Sequence, residues 1–269
     1  MKSLNKFLKD ILKGSKPAIA RAITIVENDS DYTLLKKLFR SSGKAYYVGI
    51  TGPPGAGKST LVNAIAKLLL KKKKRIGIIA VDPTSPFSGG ALLGDRVRMT
   101  DLALNKNVFI RSMASRGSLG GLAQKTKDVA LVLDAAGMDY ILIETIGVGQ
   151  VELDIAQVCD TTAVVGAVPG WSYPIIKTIA TTGDGVDQVV VRIEEHRRYL
   201  TRSGKLESAR KERLFSRINE LIEERIRADL HKRLTTQPGL KKIIDDIYNR
   251  RRNPFDVAEK ILRNSGFVF

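Results

Sequence analysis

The sequence predicts an α/β protein: a mostly parallel sheet with helices on both faces, a helical N-terminal extension and a helical C-terminal arm. Three observations carry this. Between residues 45 and 180, short apolar runs alternate with longer amphipathic stretches, the signature of buried parallel strands joined by crossover helices. Residues 3–43 read as helical. From Val186 to Phe269 the pattern is helical throughout.

Each element has a local reason. Ser30 or Asp31 is placed to cap a helix on which Leu34, Leu35, Leu38 and Phe39 share a face, and Gly43 ends this region. Strands are expected at 46–51, 76–81, 107–112, 139–144, 161–168 and 174–180. The stretch from Ser59 to Leu70 is an amphipathic helix with Leu61, Ile65, Leu68 and Leu69 at helical spacing. In the C-terminal region, breaks fall at Ser203-Gly204, Pro238-Gly239 and Asn253-Pro254. The charge-dense stretch 205–234 carries a narrow stripe of Leu206, Leu214, Ile218, Leu221, Ile222 and Ile226, suited to packing on a partner chain or on its own domain. The domains expected are residues 1–44, 45–185 and 186–269.

Composition narrows the function. With 43% hydrophobic and 27% charged residues the 269-residue chain is an ordinary globular composition. No apolar run approaches the ~20 residues that span a membrane, and the start, Met1 to Lys13, has no signal-peptide core, so a cytoplasmic protein is expected. The single Cys159 reads as a small buried apolar side chain. A net charge of +17 raises the question of nucleic acid. Its densest cluster, Lys71 to Arg75, has no interleaved aromatics and lies where cations favour the C-terminal end of a helix. With no nucleic-acid motif visible, a nucleic-acid partner is not expected.

The most specific element is Gly52-Pro53-Pro54-Gly55-Ala56-Gly57-Lys58-Ser59, which fits G-x-x-x-x-G-K-[ST] and sits between a strand-like run and a helix. Glycines let backbone N–H groups approach phosphate oxygens, and the helix N-terminus adds its positive dipole end. Lys58 is placed to reach the β- and γ-phosphates, and the Ser59 hydroxyl to take one Mg²⁺ position. The fold class expected is therefore the sheet of phosphate-loop nucleoside triphosphatases.

Three further elements lie at strand ends. Tyr140-Ile141-Leu142-Ile143-Glu144 ends in a carboxylate, one methylene longer than the usual Asp, that suits the Mg²⁺ shell; Gly147 follows, with an N–H suited to the γ-phosphate. Asp82 leaves the second strand at the ligand-binding edge, where it can order a metal-bound or attacking water. Arg111 to Gly121 is rich in small residues, and Arg116 is a candidate for phosphate or partner contact or a plain solvated side chain. Gln150 is not expected to be catalytic. His196 and His231 read as surface residues rather than metal ligands.

The runs VGITGPPGAGKSTL, AVDPTSPFSGGALLGDRVRM, FIRSMASRGSLGGLA and IETIGVGQVELDIA resemble the G-protein chaperones of methylmalonyl-CoA mutase, a signal-recognition/MinD-like class of GTPases also labelled transport-system kinases. The likeness covers roughly 15–168 and 171–204. It implies GTP hydrolysis to GDP with Mg²⁺, homodimerisation through the C-terminal helices, and docking on an adenosylcobalamin-dependent mutase. By position it implies phosphate contacts from Gly55, Gly57, Lys58, Ser59 and Thr60. Ser59 becomes the direct metal ligand, with Asp82, Asp95 and Glu144 as candidates for the metal or its waters. Thr178-Ile179-Ala180 matches the loop whose backbone contacts guanine.

One departure stands out. Guanine is normally read by Asn-Lys-x-Asp, which occurs nowhere in this chain. The resemblance places it between Val168-Pro169-Gly170 and Trp171-Ser172-Tyr173-Pro174, runs that here nearly abut, and implies roughly 50 further residues at that point. Either the strand expected at 174–180 pairs differently or the chain omits a segment. Only residues 169–173 would join strands 161–168 and 174–180, whereas a parallel crossover needs at least about 10–12. Two rival functions follow: an ATPase or kinase with relaxed base choice, or a nucleotide-impaired binding scaffold.

Overall fold

The computed structural model describes residues 2–28, 32–82, 99–114, 119–145, 158–165, 174–236, 239–249, 251–257 and 261. Helices α1 (Lys2–Leu12), α2 (Lys16–Asn28) and α3 (Thr33–Leu38) lead into β1 (Tyr46–Thr51). There follow α4 (Lys58–Lys71), β2 (Ile76–Asp82), α5 (Thr100–Ala103), β3 (Val108–Ala114), α6 (Leu119–Ala135), β4 (Tyr140–Glu144) and β5 (Thr161–Val164). Helices α7 (Val186–Arg202), α8 (Lys205–Thr236) and α9 (Leu240–Tyr248) complete the chain, with a helical turn at 254–257. Two compact units are present, residues 1–209 and 210–269.

The sheet has five strands in the order β3-β2-β4-β1-β5, and every pairing is parallel. Alternation along each strand sends side chains to opposite faces. In β4, Ile141 and Ile143 join a core made by α1, α2, α3 and α6, while Tyr140 and Leu142 join a second core made by α4, α5 and α7. The N-terminal helices thus cover one face of the sheet. Helix α4 buries Leu61, Val62, Ile65, Ala66 and Leu69 on the other, where a fully buried Val, Leu or Ile is worth about 1.5–3 kcal/mol. Entry into β1 is held by buried Asp134 on α6, whose carboxylate accepts from the N–H groups of Gly43 (2.7 Å), Lys44 (3.1 Å) and Ala45 (3.1 Å).

Two expectations change. Residues 174–180 form no strand: Ile179 makes a single antiparallel bridge to Asp184 within a turn. The short connection that no parallel crossover could use is therefore not asked to make one, and β5 is one of the two edge strands among the described residues, β3 being the other. Leu34, Leu35 and Leu38 are buried as expected, but Phe39 lies in a 3₁₀ turn and is exposed, and Tyr32 rather than Ser30 or Asp31 precedes the first helical residue. Cys159 is buried against Gly49, where an added Cβ would come within 2.9 Å of its Sγ. Among the described residues no helix is long and apolar enough to cross a membrane.

Candidate functional site

The phosphate loop leaves the C-terminal end of β1, which lies between β4 and β5. Its first residue, Gly52, has φ +142°, and a Cβ there would sit 1.9 Å from the carbonyl oxygen of Val165, so only glycine fits between the loop and the end of β5. Gly57, at φ +87°, turns the chain into α4 in a left-handed conformation that side chains rarely adopt. Pro53, Pro54 and Gly55 are exposed, Ala56 and Thr60 half-buried.

Lys58 is 6% exposed, and its Nζ donates to the carbonyls of Gly52 (2.8 Å) and Pro53 (2.9 Å). The ammonium is thereby held across the loop it belongs to. Ser59 Oγ donates to Glu144 Oε1 at 2.5 Å, joining residues 85 positions apart. Glu144 is itself 5% exposed at the end of β4. The next residue, Thr145, donates its N–H to Ile50 O (3.1 Å) and its hydroxyl to Thr51 Oγ1 (2.9 Å), which clamps the end of β4 to the end of β1. Neither Thr51 nor Thr145 stood out in the sequence; the available signal was their position next to the phosphate loop and the strand-end carboxylate.

Ser59 and Glu144 supply hard oxygen donors beside a helix N-terminus. That donor set fits Mg²⁺, which takes one or two protein oxygens and completes its shell with phosphate and water. Asp82 ends β2, two residues past Ala80, the partner of Glu144 in the sheet register; its backbone therefore lies at the same edge. Asp95, Arg116 and Gly147 lie outside the described residues. Among the described residues no three His, Cys, Asp or Glu side chains cluster as metal ligands. Arg111 is spoken for: its Nε donates to Glu27 Oε1 (3.0 Å) and Nη2 to Glu27 Oε2, tying β3 to α2.

Thr178-Ile179-Ala180 lies in the turn before α7. Ile179 N–H donates to Asp184 O (3.0 Å), and its carbonyl accepts from Thr182 N (3.1 Å), Gly183 N (2.8 Å) and Thr182 Oγ1 (3.1 Å). Both backbone groups of Ile179 are thus used inside the turn.

A sequence-family model described as methylmalonyl-CoA mutase-associated GTPase matches residues 19–170 and again 166–235. A Pyrococcus horikoshii protein named as a GTPase is 36% identical, covering 97% of this chain and 98% of its own length. The GTPase ArgK of Escherichia coli is 38% identical over 59% of this chain and 50% of its own. The mouse mitochondrial methylmalonic aciduria type A homolog is 37% identical over 58% of this chain and 42% of its own. A crystal structure titled LAO/AO transport system kinase shares the fold, with TM-score 0.67 over 99% of this chain and 98% of that one at 21% identity. The alignment with the Pyrococcus protein spans 315 positions against 269 residues here, so at least 46 of its residues have no counterpart. The two family matches meet at 166–170, where the sequence places the missing segment. On these matches, the chain belongs to the family of methylmalonyl-CoA mutase-associated phosphate-loop GTPases.

Proposed function

We propose that this chain hydrolyses GTP to GDP and phosphate with Mg²⁺, and that it gates an adenosylcobalamin-dependent methylmalonyl-CoA mutase as its chaperone. The observation that carries the hydrolytic reading is the 2.5 Å contact between Ser59 and Glu144 beside Lys58, since it unites the phosphate loop with the strand-end carboxylate. Ser59 and Glu144 would hold the metal, directly or through its waters. When bound, Mg²⁺ supplies charge neutralisation at the phosphate oxygens.

The chain's own residues do the rest. The loop amides and Lys58 bind the β- and γ-phosphates, Lys58 exchanging its two carbonyl contacts for phosphate oxygens. Water attacks the γ-phosphorus in line, the bond from phosphorus to the β–γ bridging oxygen breaks, GDP leaves with that electron pair, and the water proton passes to the phosphate product. Asp82 orients the water. Lys58 and the amides stabilise the charge that develops on the transferred group. A Lys58→Ala protein should lose more than about 100-fold in GTP turnover; turnover at the parent rate sinks the reading.

The mutase partnership rests on the family description and on the mouse relative's name. Its test is retention by an adenosylcobalamin-dependent mutase that differs between GTP and GDP. The homodimer reading rests on α8, where Leu214, Phe215, Ile218 and Ile222 are exposed, Phe215 at 67%. Equilibrium sedimentation at the 29.6 kDa monomer mass would exclude it. The kinase title of the solved relative comes with 21% identity, so it speaks for the fold and not for phosphoryl transfer to an acceptor.

A further inference from the structure

The phosphate end of the site carries its full set of residues, and the base end does not. Guanine differs from adenine by presenting N1–H and an exocyclic N2 amine, two donors that need an acceptor, best a carboxylate. Strong discrimination arises only where a site hydrogen-bonds such groups, because a ligand that lacks them leaves the site's own buried polar partners unpaired.

From Thr161, the start of β5, through Gly183 the chain contains no Asp or Glu. The first carboxylate is Asp184, which already accepts from Thr182 Oγ1 at 2.8 Å. The backbone offers no substitute at Ile179, whose N–H and C=O are both consumed inside the turn. Among the described residues no strand pairs with the outer edge of β5. The family matches meet at 166–170, and the alignment with the Pyrococcus protein is at least 46 positions longer than this chain.

We propose that this chain selects the triphosphate and not the base: it takes purine and pyrimidine nucleoside triphosphates alike, and hydrolyses ATP about as well as GTP. The proposal rests on the reading of the phosphate loop as the nucleotide site. Recognition then comes from Gly52 to Thr60 and the Ser59–Glu144 pair, groups that meet phosphate and metal and are blind to the base.

The test is calorimetric titration of the full chain, with Mg²⁺, using non-hydrolysable analogues of GTP, ATP and CTP, alongside kcat/KM for GTP and ATP. Inorganic triphosphate serves as competitor. The expected result is dissociation constants and kcat/KM values within tenfold of one another, with inorganic triphosphate displacing all three. A GTP preference above tenfold overturns the proposal while leaving the phosphate site intact. Asp184→Asn then asks whether the turn reads the base, by removing that preference. If none of the nucleotides binds, or if Lys58→Ala leaves their binding unchanged, the phosphate-loop reading fails and this proposal fails with it.

Discussion

The same strands end in two different environments. At their C-terminal ends β1 and β4 bring Lys58, Ser59 and Glu144 together. At their N-terminal ends β1, β4 and β5 begin with Tyr46, Tyr140 and Thr161, and those side chains are tied to α7. Tyr46 and Tyr140 are register partners whose rings meet edge to face at 6.1 Å. The Arg197 guanidinium lies over both rings, at 5.1 and 5.5 Å, and donates to the Tyr140 hydroxyl at 3.0 Å. That hydroxyl donates to Glu194, the Tyr46 hydroxyl contacts Thr161 Oγ1 (2.6 Å), and Thr161 contacts His196 Nδ1 (2.7 Å). At both ends the polar groups pair with one another, but at the first they are a lysine, a hydroxyl and a carboxylate beside a helix N-terminus, and at the second they tie the sheet to α7. The first arrangement is the candidate for chemistry and the second ties α7 to the sheet, so variants at the two ends should separate cleanly.

The largest expected effect after Lys58→Ala is at the ligand end. Glu144→Gln keeps the shape and a hydrogen-bonding oxygen but removes the charge that suits a divalent cation. It should raise the Mg²⁺ concentration needed for half-maximal GTP turnover by about 10–100-fold, with little change in thermal midpoint. An unchanged Mg²⁺ requirement would remove Glu144 from the metal shell.

A smaller effect is expected at the tyrosine end. Tyr140→Phe leaves Glu194 and Arg197 without their shared hydroxyl and should cost about 1–2 kcal/mol of unfolding free energy, read by urea titration, with GTP turnover unchanged. A loss of turnover larger than the loss of folded protein would mean the two ends are coupled.

Two further effects lie in pH dependence. Burial, and then the neighbouring Glu194 carboxylate, push the Tyr140 hydroxyl up to about 12 from its ordinary 10.0. Above pH 10 the unfolded chain gives up this proton while the folded chain keeps it, so stability falls as pH rises toward 12. Tyr140→Phe should flatten that alkaline arm. Burial lowers the His196 pKa from its ordinary 6.5. Below pH 6.5 the unfolded chain takes up this proton first, so stability falls as pH falls, and the effect is slight because His196 remains largely exposed. His196→Gln should remove it.

Much of the site was legible because its signals are local. The spacing of Gly52, Gly57, Lys58 and Ser59 is a property of one turn, and the apolar runs of β1 to β4 lie within two residues of their expected bounds. The run 174–180 misled for a physical reason. Ile175, Ile176 and Ile179 have high strand propensity, but a strand exists only where a neighbour offers an edge at the right distance. β5 ends at Val164, so only residues 165–173 lie between it and this run, fewer than the about 10–12 a parallel crossover needs, and Ile175 and Ile179 are left exposed.

By itself the sequence determined the parallel sheet, the phosphate loop and the loss of a guanine-reading motif, since each is written in short patterns whose physics involves only adjacent residues. Tertiary structure alone decided that Glu144 meets Ser59, that Lys58 spans Gly52 and Pro53, that Arg111 belongs to Glu27, and that Ile179 spends its backbone inside a turn. Those are pairings between groups far apart in the chain or settled by three-dimensional geometry, and only the strand order and register bring the distant ones within a bond length of each other.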